Sequence, residues 1–347
     1  MIEYLELENF RNFRERSFQF SSGSVVLSGP NGSGKSSVLE SLGYLSILRS
    51  FRGARSRDLV TLGEHEFQLK CRYRSSGRKG ILSVRESCEG RRELLISGAR
   101  PLRTSDFIKE FRCVSFGPED REIVSGASGC RRRFFDMMIS SIDHGYLKSL
   151  SDFNRALMQR NRALKSNKAE VAMHFDRELA ERSPEIVSKR IRYARIIGEK
   201  VNELLKEKGS SFEIRYLSTA SLESDQNLFL IRKNFEKDKV RKCTSFGPQL
   251  DEFEFRLDNK IMRSFCSTGQ KGIVALMLKL AEFSIVREKS SVPVVILADD
   301  VLCDLDRRNS ELFLERIQSA DQRFFTFAAL PAFGDFKEYE NIKLEEK

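Results

Sequence analysis

The chain has 347 residues, enough for two or three compact units, and its 40% hydrophobic and 32% charged content excludes a disordered or fibrous protein. A formal charge of +10 favours polyanionic partners, while seven scattered cysteines, never spaced as C-x-x-C, argue against a disulfide framework or a zinc site and fit a reducing cytosol. The longest apolar run, VPVVILA at 292–298, is too short to cross a bilayer, and MIEYLELENF lacks the basic start and apolar stretch of a signal peptide.

In chain order, YLELENF alternates as a strand and VVLSG reads as a short buried strand. From Ser36 to about Leu48 the spacing predicts a helix, with Val38, Leu39, Leu42 and Leu45 on one side. Between Phe67 and Leu95, the pieces FQLKCRYR, GILSVRES and ELLISG are broken by SSGRKG and CEGRR, which predicts an antiparallel meander. Leu147, Leu150, Phe153, Leu157 and Leu164 then fall at helical spacing, as do Val187, Ile191, Ala194, Ile197, Val201 and Leu204, and both stripes are assigned to core. Between them, ERSPEIV predicts a restart, with Ser183 as cap and Pro184 in the first turn. A charged helical stretch near 225–242 precedes the strand DEFEFRL, a helix from about Gly269 to Arg287, a buried strand Val294–Leu297, a helix Arg308–Gln318 and the strand RFFTFAA. The expected organisation is one domain built from 1–110 and 243–347, with 111–242 inserted as a mostly helical lobe.

The stretch SGPNGSGKSS at 28–37 fits G-x-x-x-x-G-K-[ST] at Gly29, Gly34, Lys35 and Ser36. In such a loop, spanning Gly29, Pro30, Asn31, Gly32, Ser33, Gly34, Lys35 and Ser36, backbone N–H groups converge on the phosphates of ATP. Lys35 reaches the β- and γ-phosphates, and the Ser36 hydroxyl holds Mg²⁺. The required context, a strand before and a helix after, is predicted on both sides. A phosphate loop needs a second acidic site, and VPVVILADD supplies a buried strand ending in Asp299 and Asp300. Asp299 serves the metal and Asp300 orients and polarises the attacking water. Three histidines, none at ligand spacing, offer no competing metal chemistry.

Ser267-Thr268-Gly269-Gln270, followed by an apolar helix, resembles the signature turn of ABC-type ATPases, in its usual place before the acidic strand. In that class the turn closes over the γ-phosphate bound by a second protomer, so that ATP joins two head-to-tail heads.

With LENFRNF at 7–13, these residues resemble the RecF family of bacterial DNA repair and recombination-mediator proteins. FGPEDREIVSG and RRRFFD within 116–136, LMQRNRALK, SFGPQLDE, STGQK and ADDVLCDLD follow in family order over essentially the whole chain. The resemblance implies an α/β fold, an ABC-type P-loop ATPase head with an antiparallel β meander and a helical second lobe without a long coiled coil. It implies a cytoplasmic, nucleoid-associated, ATP-dependent homodimer acting on DNA at single-strand gaps, working with RecO and RecR to help load RecA and supporting the SOS response. Ser267, Gly269 and Gln270 would act in trans, CDLD at 303–306 falls at the dimer-contact loop, and Arg11 and Asn12 sit near the nucleotide. The chain departs from the family pattern at Gly272, where arginine is usual, and at Gln249, Ala298 and Asp304.

Basic residues cluster at Arg49–Arg57, at Lys70–Lys79, at Arg91–Arg103, at Arg131–Arg133 and in QRNRALKSNK. Such charges neutralise phosphate without reading bases, which points to sequence-independent binding of double-stranded DNA. The family resemblance extends this to gapped DNA and implies a slow, DNA-stimulated, Mg-dependent ATPase used as a switch. The alternative is an ABC-type ATPase subunit coupled to another partner such as a membrane transporter, although such a head usually carries a histidine after the acidic strand, where Thr326 stands. A small-molecule kinase or GTPase leaves the signature turn unexplained, and no N-K-x-D guanine-reading motif is present.

Overall fold

Val25, Val26 and Leu27 are fully buried, as are Val294 to Leu297, which is the mark of strands covered on both faces of a parallel sheet. The computed structural model describes residues 1–21, 23–75, 77–206, 209–329 and 336–345. In chain order its strands are β1 (Ile2–Phe10), β2 (Phe13–Gln19), β3 (Ser24–Ser28), β4 (Glu66–Ser75), β5 (Arg78–Ser87), β6 (Arg92–Ile96), β7 (Arg112–Phe116), β8 (Phe212–Leu217), β9 (Glu252–Leu257), β10 (Lys260–Ile261), β11 (Val294–Asp299), β12 (Gln322–Phe327) and β13 (Glu340–Lys343).

Two units divide the chain: Met1–Asp120 with Glu282–Lys347, and Arg121–Ala281. The sequence placed the joins near 110 and 243. Residues beyond 243 fall in the second unit because β9 pairs antiparallel with β8 and β10, so the whole three-stranded ladder belongs together.

The first unit holds two sheets. One is the expected antiparallel meander, in the order β2-β1-β4-β5-β6, and the other is an all-parallel sheet in the order β13-β3-β12-β11-β7. The helix α1 (Lys35–Ile47) buries Val38, Leu39, Leu42, Tyr44 and Leu45 in one cluster with Leu5, Leu7 and Leu69 of the meander and Val295, Leu297 and Phe324 of the parallel sheet. Apolar residues on both sides of α1 explain why even its polar Glu40, Ser41 and Ser46 are buried. Strands that escaped the periodicity reading include β2, the short β7 and the edge strand β13.

The second unit is mostly helical by itself, around the small β8–β10 sheet. Its helix Asp176–Leu205 runs through Pro184 without a break, in contrast to the expected restart. Ser183 is not a cap: its hydroxyl donates back to Leu179 O at 2.7 Å. Buried Leu179 and Ala180 before the proline, and Ile186 and Val187 after it, keep one face continuous, so packing overrides the missing N–H. At 30 residues this helix is roughly 45 Å long, the longest among the described residues and far short of a coiled-coil arm.

The apolar stripes also shift. Ile191 is 45% exposed while Arg190 takes the inner seat, bound to Asp136, Asp251 and the Pro248 carbonyl. Likewise Arg160 is fully buried in the helix His144–Lys165, between Asp176 and Asp238. Hydropathy counts arginine as surface, but paired and hydrogen-bonded arginine is a tolerated core residue.

Candidate functional site

The glycine-rich loop leaves the carboxyl end of β3 and enters α1 at Gly34, whose φ is 98°. A Cβ at Gly34 would lie 2.4 Å from the Phe13 ring, and one at Gly29, where φ is 155°, would lie 2.2 Å from Leu344 O, so neither position admits a side chain. Lys35 bends back over the loop, donating from Nζ to the carbonyls of Gly29 at 2.7 Å and Pro30 at 2.8 Å. Its side chain is thereby laid along the concave face of the loop. Asn12 donates to Gly32 O at 3.3 Å, and Ser33, only 3% exposed, has a hydroxyl oxygen with no hydrogen-bond partner among the described residues.

Because β12 lies between β3 and β11, the loop and the acidic strand end are two strands apart on the same edge of the sheet. This is the carboxyl edge, where open α/β sheets take their ligands. The Ser36 hydroxyl donates to Asp299 Oδ1 at 2.8 Å across 263 residues of sequence. Thr326 donates to the same oxygen at 2.9 Å and accepts the Asp300 N–H at 2.9 Å. Asp300 itself turns into the left-handed region at φ 51°.

Arg11, Asn12, Asn31, Gly32, Gly34, Lys35, Ser36 and Asp300 line one cavity of about 730 Å³, together with Ser37, Arg52, Asp58, Val60 and Leu62. The motif residues of the first unit therefore converge. The donor set fits a triphosphate with a hard divalent cation: a lysine, a loop without Cβ atoms at its tight points, an unpartnered buried hydroxyl, and a serine and a carboxylate supplying oxygens. Among the described residues no cluster of three His, Cys, Asp or Glu offers another metal site.

Sequence reasoning missed residues around the site, Glu40 and Leu62 among them. Glu40, fully buried, takes Arg11 in a two-point ion pair at 2.7 and 2.8 Å and accepts the Ser50 hydroxyl at 2.5 Å. Its signal was a lone acid within the apolar run Leu39-Glu40-Ser41-Leu42. Leu62 is 96% exposed on the cavity wall. Thr326 was noted in the sequence only as standing where a transporter-type head carries histidine, without a part in the site.

The signature turn lies in the second unit, by itself on an exposed surface. Ser267 and Gln270 form a reciprocal cap: the Gln270 N–H donates to Ser267 Oγ at 3.2 Å, and the Ser267 N–H donates to Gln270 Oε1 at 2.9 Å. A Cβ at Gly269 would meet nothing within 4 Å, and a Cβ at Gly272 would come no closer than 3.7 Å to Arg121 Nε. The substituted Gln249 donates to Phe246 O at 2.7 Å. In the segment 303–306 Cys303 is exposed, and the Asp304 side chain lies outside the described residues.

The basic clusters divide on inspection. Arg49, Arg52, Arg55, Arg57, Arg72, Arg78 and Lys79 are exposed. Arg131 is not: its guanidinium is held by Glu252 at 2.7 and 2.9 Å and is 5% exposed. Arg131 and the buried Arg160 are thus removed from any surface for a polyanion, Arg131 by its pair with the half-buried Glu252 and Arg160 by its pairs with the buried Asp176 and Asp238.

Residues 1–330 match the family described as RecF/RecN/SMC N terminal domain. A DNA replication and repair protein RecF from Clostridium novyi (strain NT) is 31% identical over 353 residues, covering 99% of this chain and 97% of that protein. The structure described as the recombination mediator protein RecF-ATP in the RecFOR pathway superposes with a TM-score of 0.88 at 29% identity, over 99% of this chain and 97% of that one. An Smc head bound to the C-winged helix domain of ScpA shares the fold, with a TM-score of 0.50 at 17% identity over 95% of this chain and 90% of that one. The fold is that of an ABC-type ATPase head.

Proposed function

This chain belongs to the RecF family, and from that premise we propose that it is an ATP-dependent DNA-binding protein of recombinational repair and replication restart. The observation that carries the reading is the Ser36–Asp299 contact, which joins the phosphate loop to the acidic strand end at the lip of a cavity large enough for a nucleotide. The relative solved as RecF-ATP supports ATP as the ligand.

In this reading the loop N–H groups from Gly29 to Ser36 bind the polyphosphate, and Lys35 exchanges its two carbonyl partners for phosphate oxygens. Ser36 and Asp299 would hold Mg²⁺, which when bound neutralises charge on the triphosphate. Asp300, on the cavity wall, orients the attacking water and accepts its proton. Arg11 and Asn12 close the side of the loop. Ser267, Gly269 and Gln270, exposed on the second unit, complete the site of a second copy in a head-to-tail dimer, and slow hydrolysis resets it. The exposed arginines and lysines take duplex and gapped DNA through phosphates alone. RecO and RecR are the expected partners, with RecA loading and support of the SOS response as the outcome in a bacterial cytoplasm. DNA-stimulated, Mg-dependent turnover belongs to the same proposal.

The test is molecular mass in solution with and without a slowly hydrolysed ATP analogue, followed by retention on gapped DNA at rising salt. Nucleotide-driven doubling of mass with salt-sensitive retention supports the reading. A constant monomer, or retention flat in salt, overturns the dimer or the electrostatic mode respectively.

A further inference from the structure

We propose that Thr326 is a positioning residue that sets both acids of the β11 end at once, an assignment that rests on the nucleotide-binding reading of the site. Strand β12 lies between β3 and β11, and Thr326 is in register with Leu27 of β3 and with Asp299 of β11. It therefore stands between the strand that carries the phosphate loop and the strand that carries the acids. Its side chain is 1% exposed, and a buried hydroxyl must find partners. Both of its hydrogen-bonding capacities go to the acidic pair: the O–H donates to Asp299 Oδ1 at 2.9 Å, and the oxygen accepts the Asp300 N–H at 2.9 Å.

The two bonds act on different things. With Ser36 also donating to Asp299 Oδ1 at 2.8 Å, that oxygen holds two donors and the plane of the carboxylate is fixed. The bond to the Asp300 N–H fixes backbone instead. Asp300 has φ 51° and ψ 18°, left-handed backbone that aspartate adopts at a modest cost, and the bond to Thr326 helps to hold it there. That turn is what carries the Asp300 side chain to the cavity wall while Asp299 remains inside the sheet edge. A plain β-branched core residue would fill the same volume, but it would supply neither bond. Threonine acts through Asp299 and Asp300, so its loss is expected in the placement of the acids more than in the capture of nucleotide.

Thr326→Val keeps the shape and removes both bonds, and Thr326→Ser keeps the hydroxyl. The full chain of each is measured for amide hydrogen exchange at Asp300 without nucleotide, for ATP affinity and for ATP turnover. For the valine variant, exchange at Asp300 rises about tenfold or more. Turnover falls roughly 10- to 100-fold while ATP affinity stays within about threefold, and serine restores both exchange and turnover. Wild-type exchange and turnover in the valine variant, or serine performing no better than valine, overturns the proposal. If valine does not fold, Thr326→Cys, of similar size and a weak donor, takes its place with the same expected split. Should the wild type bind no ATP, the nucleotide reading falls, while the exchange comparison still decides whether Thr326 holds the acids.

Discussion

Arg11, on the wall of the cavity beside the glycine-rich loop, and the fully buried Glu40, 29 positions away, are locked together, Nε to Oε2 at 2.7 Å and Nη2 to Oε1 at 2.8 Å. Arg11 holds a positive φ of 57° and also donates to Asp58 O at 2.8 Å, so a buried acid on α1 fixes the turn between β1 and β2. Removing one partner leaves the other charge stranded. Glu40→Ala is expected to cost about 3–5 kcal/mol in urea unfolding, and the double variant with Arg11→Ala less than the sum of the singles. Additive losses would mean that the pair is not coupled.

Lys35 donates to the Gly29 and Pro30 carbonyls of its own loop, so the fold draws little from it. Lys35→Ala is expected to leave the melting temperature within about 2 °C and to weaken ATP binding by about 2–3 kcal/mol, roughly 30- to 150-fold. Isothermal titration with ATP measures this directly, and unchanged affinity would remove Lys35 from phosphate binding.

Asp300→Asn keeps the size and the backbone bond to Thr326 but cannot accept a proton from water. The variant is expected to bind ATP within about threefold of wild type and to turn over roughly 100-fold more slowly, so that ATP-held dimers on gapped DNA outlast those of the wild type. Light scattering after dilution from ATP follows their lifetime, and wild-type release would sink the assignment.

Glu86 gives a pH signature away from the site. Burial pushes its carboxyl up, but hydrogen bonds from Arg92, Ser56 and Tyr44 pull it down further, and the net value lies below the ordinary one. A depressed carboxyl contributes stability above its unfolded pKa of about 4.3, and that contribution disappears as pH falls through the folded value. Glu86→Gln is therefore expected to be less stable than wild type at pH 7 and to lose less on going from about pH 4.5 to 3. Parallel losses in the two proteins, measured as urea midpoints, would exclude the linkage.

The glycine-rich loop and the strand bearing Asp299 were legible because both are local: glycine spacing and a run of buried aliphatics carry their own conformational meaning. The meander was legible for the same reason, through period-two alternation. What escaped depends on long-range pairing. Glu40, Arg160 and Arg190 sit in the interior because Arg11, Asp176 and Asp251 meet them there, and nothing within a short window of sequence announces such partners. Pro184 misled for a related reason, since the local rule for a helix start yielded to a face buried on both sides of it. Thr326 was noticed only as a substitute, because its role depends on the strand order.

That strand order has a cost in time. Strand β3 is flanked by β12 and β13, so Ser24 finds its sheet neighbour Arg323 only after roughly 300 further residues have been made. At about 5–20 residues per second, a nascent chain would carry an unzipped hydrophobic strand for roughly 15–60 s. Until β12 slots between β3 and β11, the ribosome-bound chain offers a ready template for mispairing. Holdase protection during translation is thus a demand made by topology, independent of how stable the finished molecule becomes.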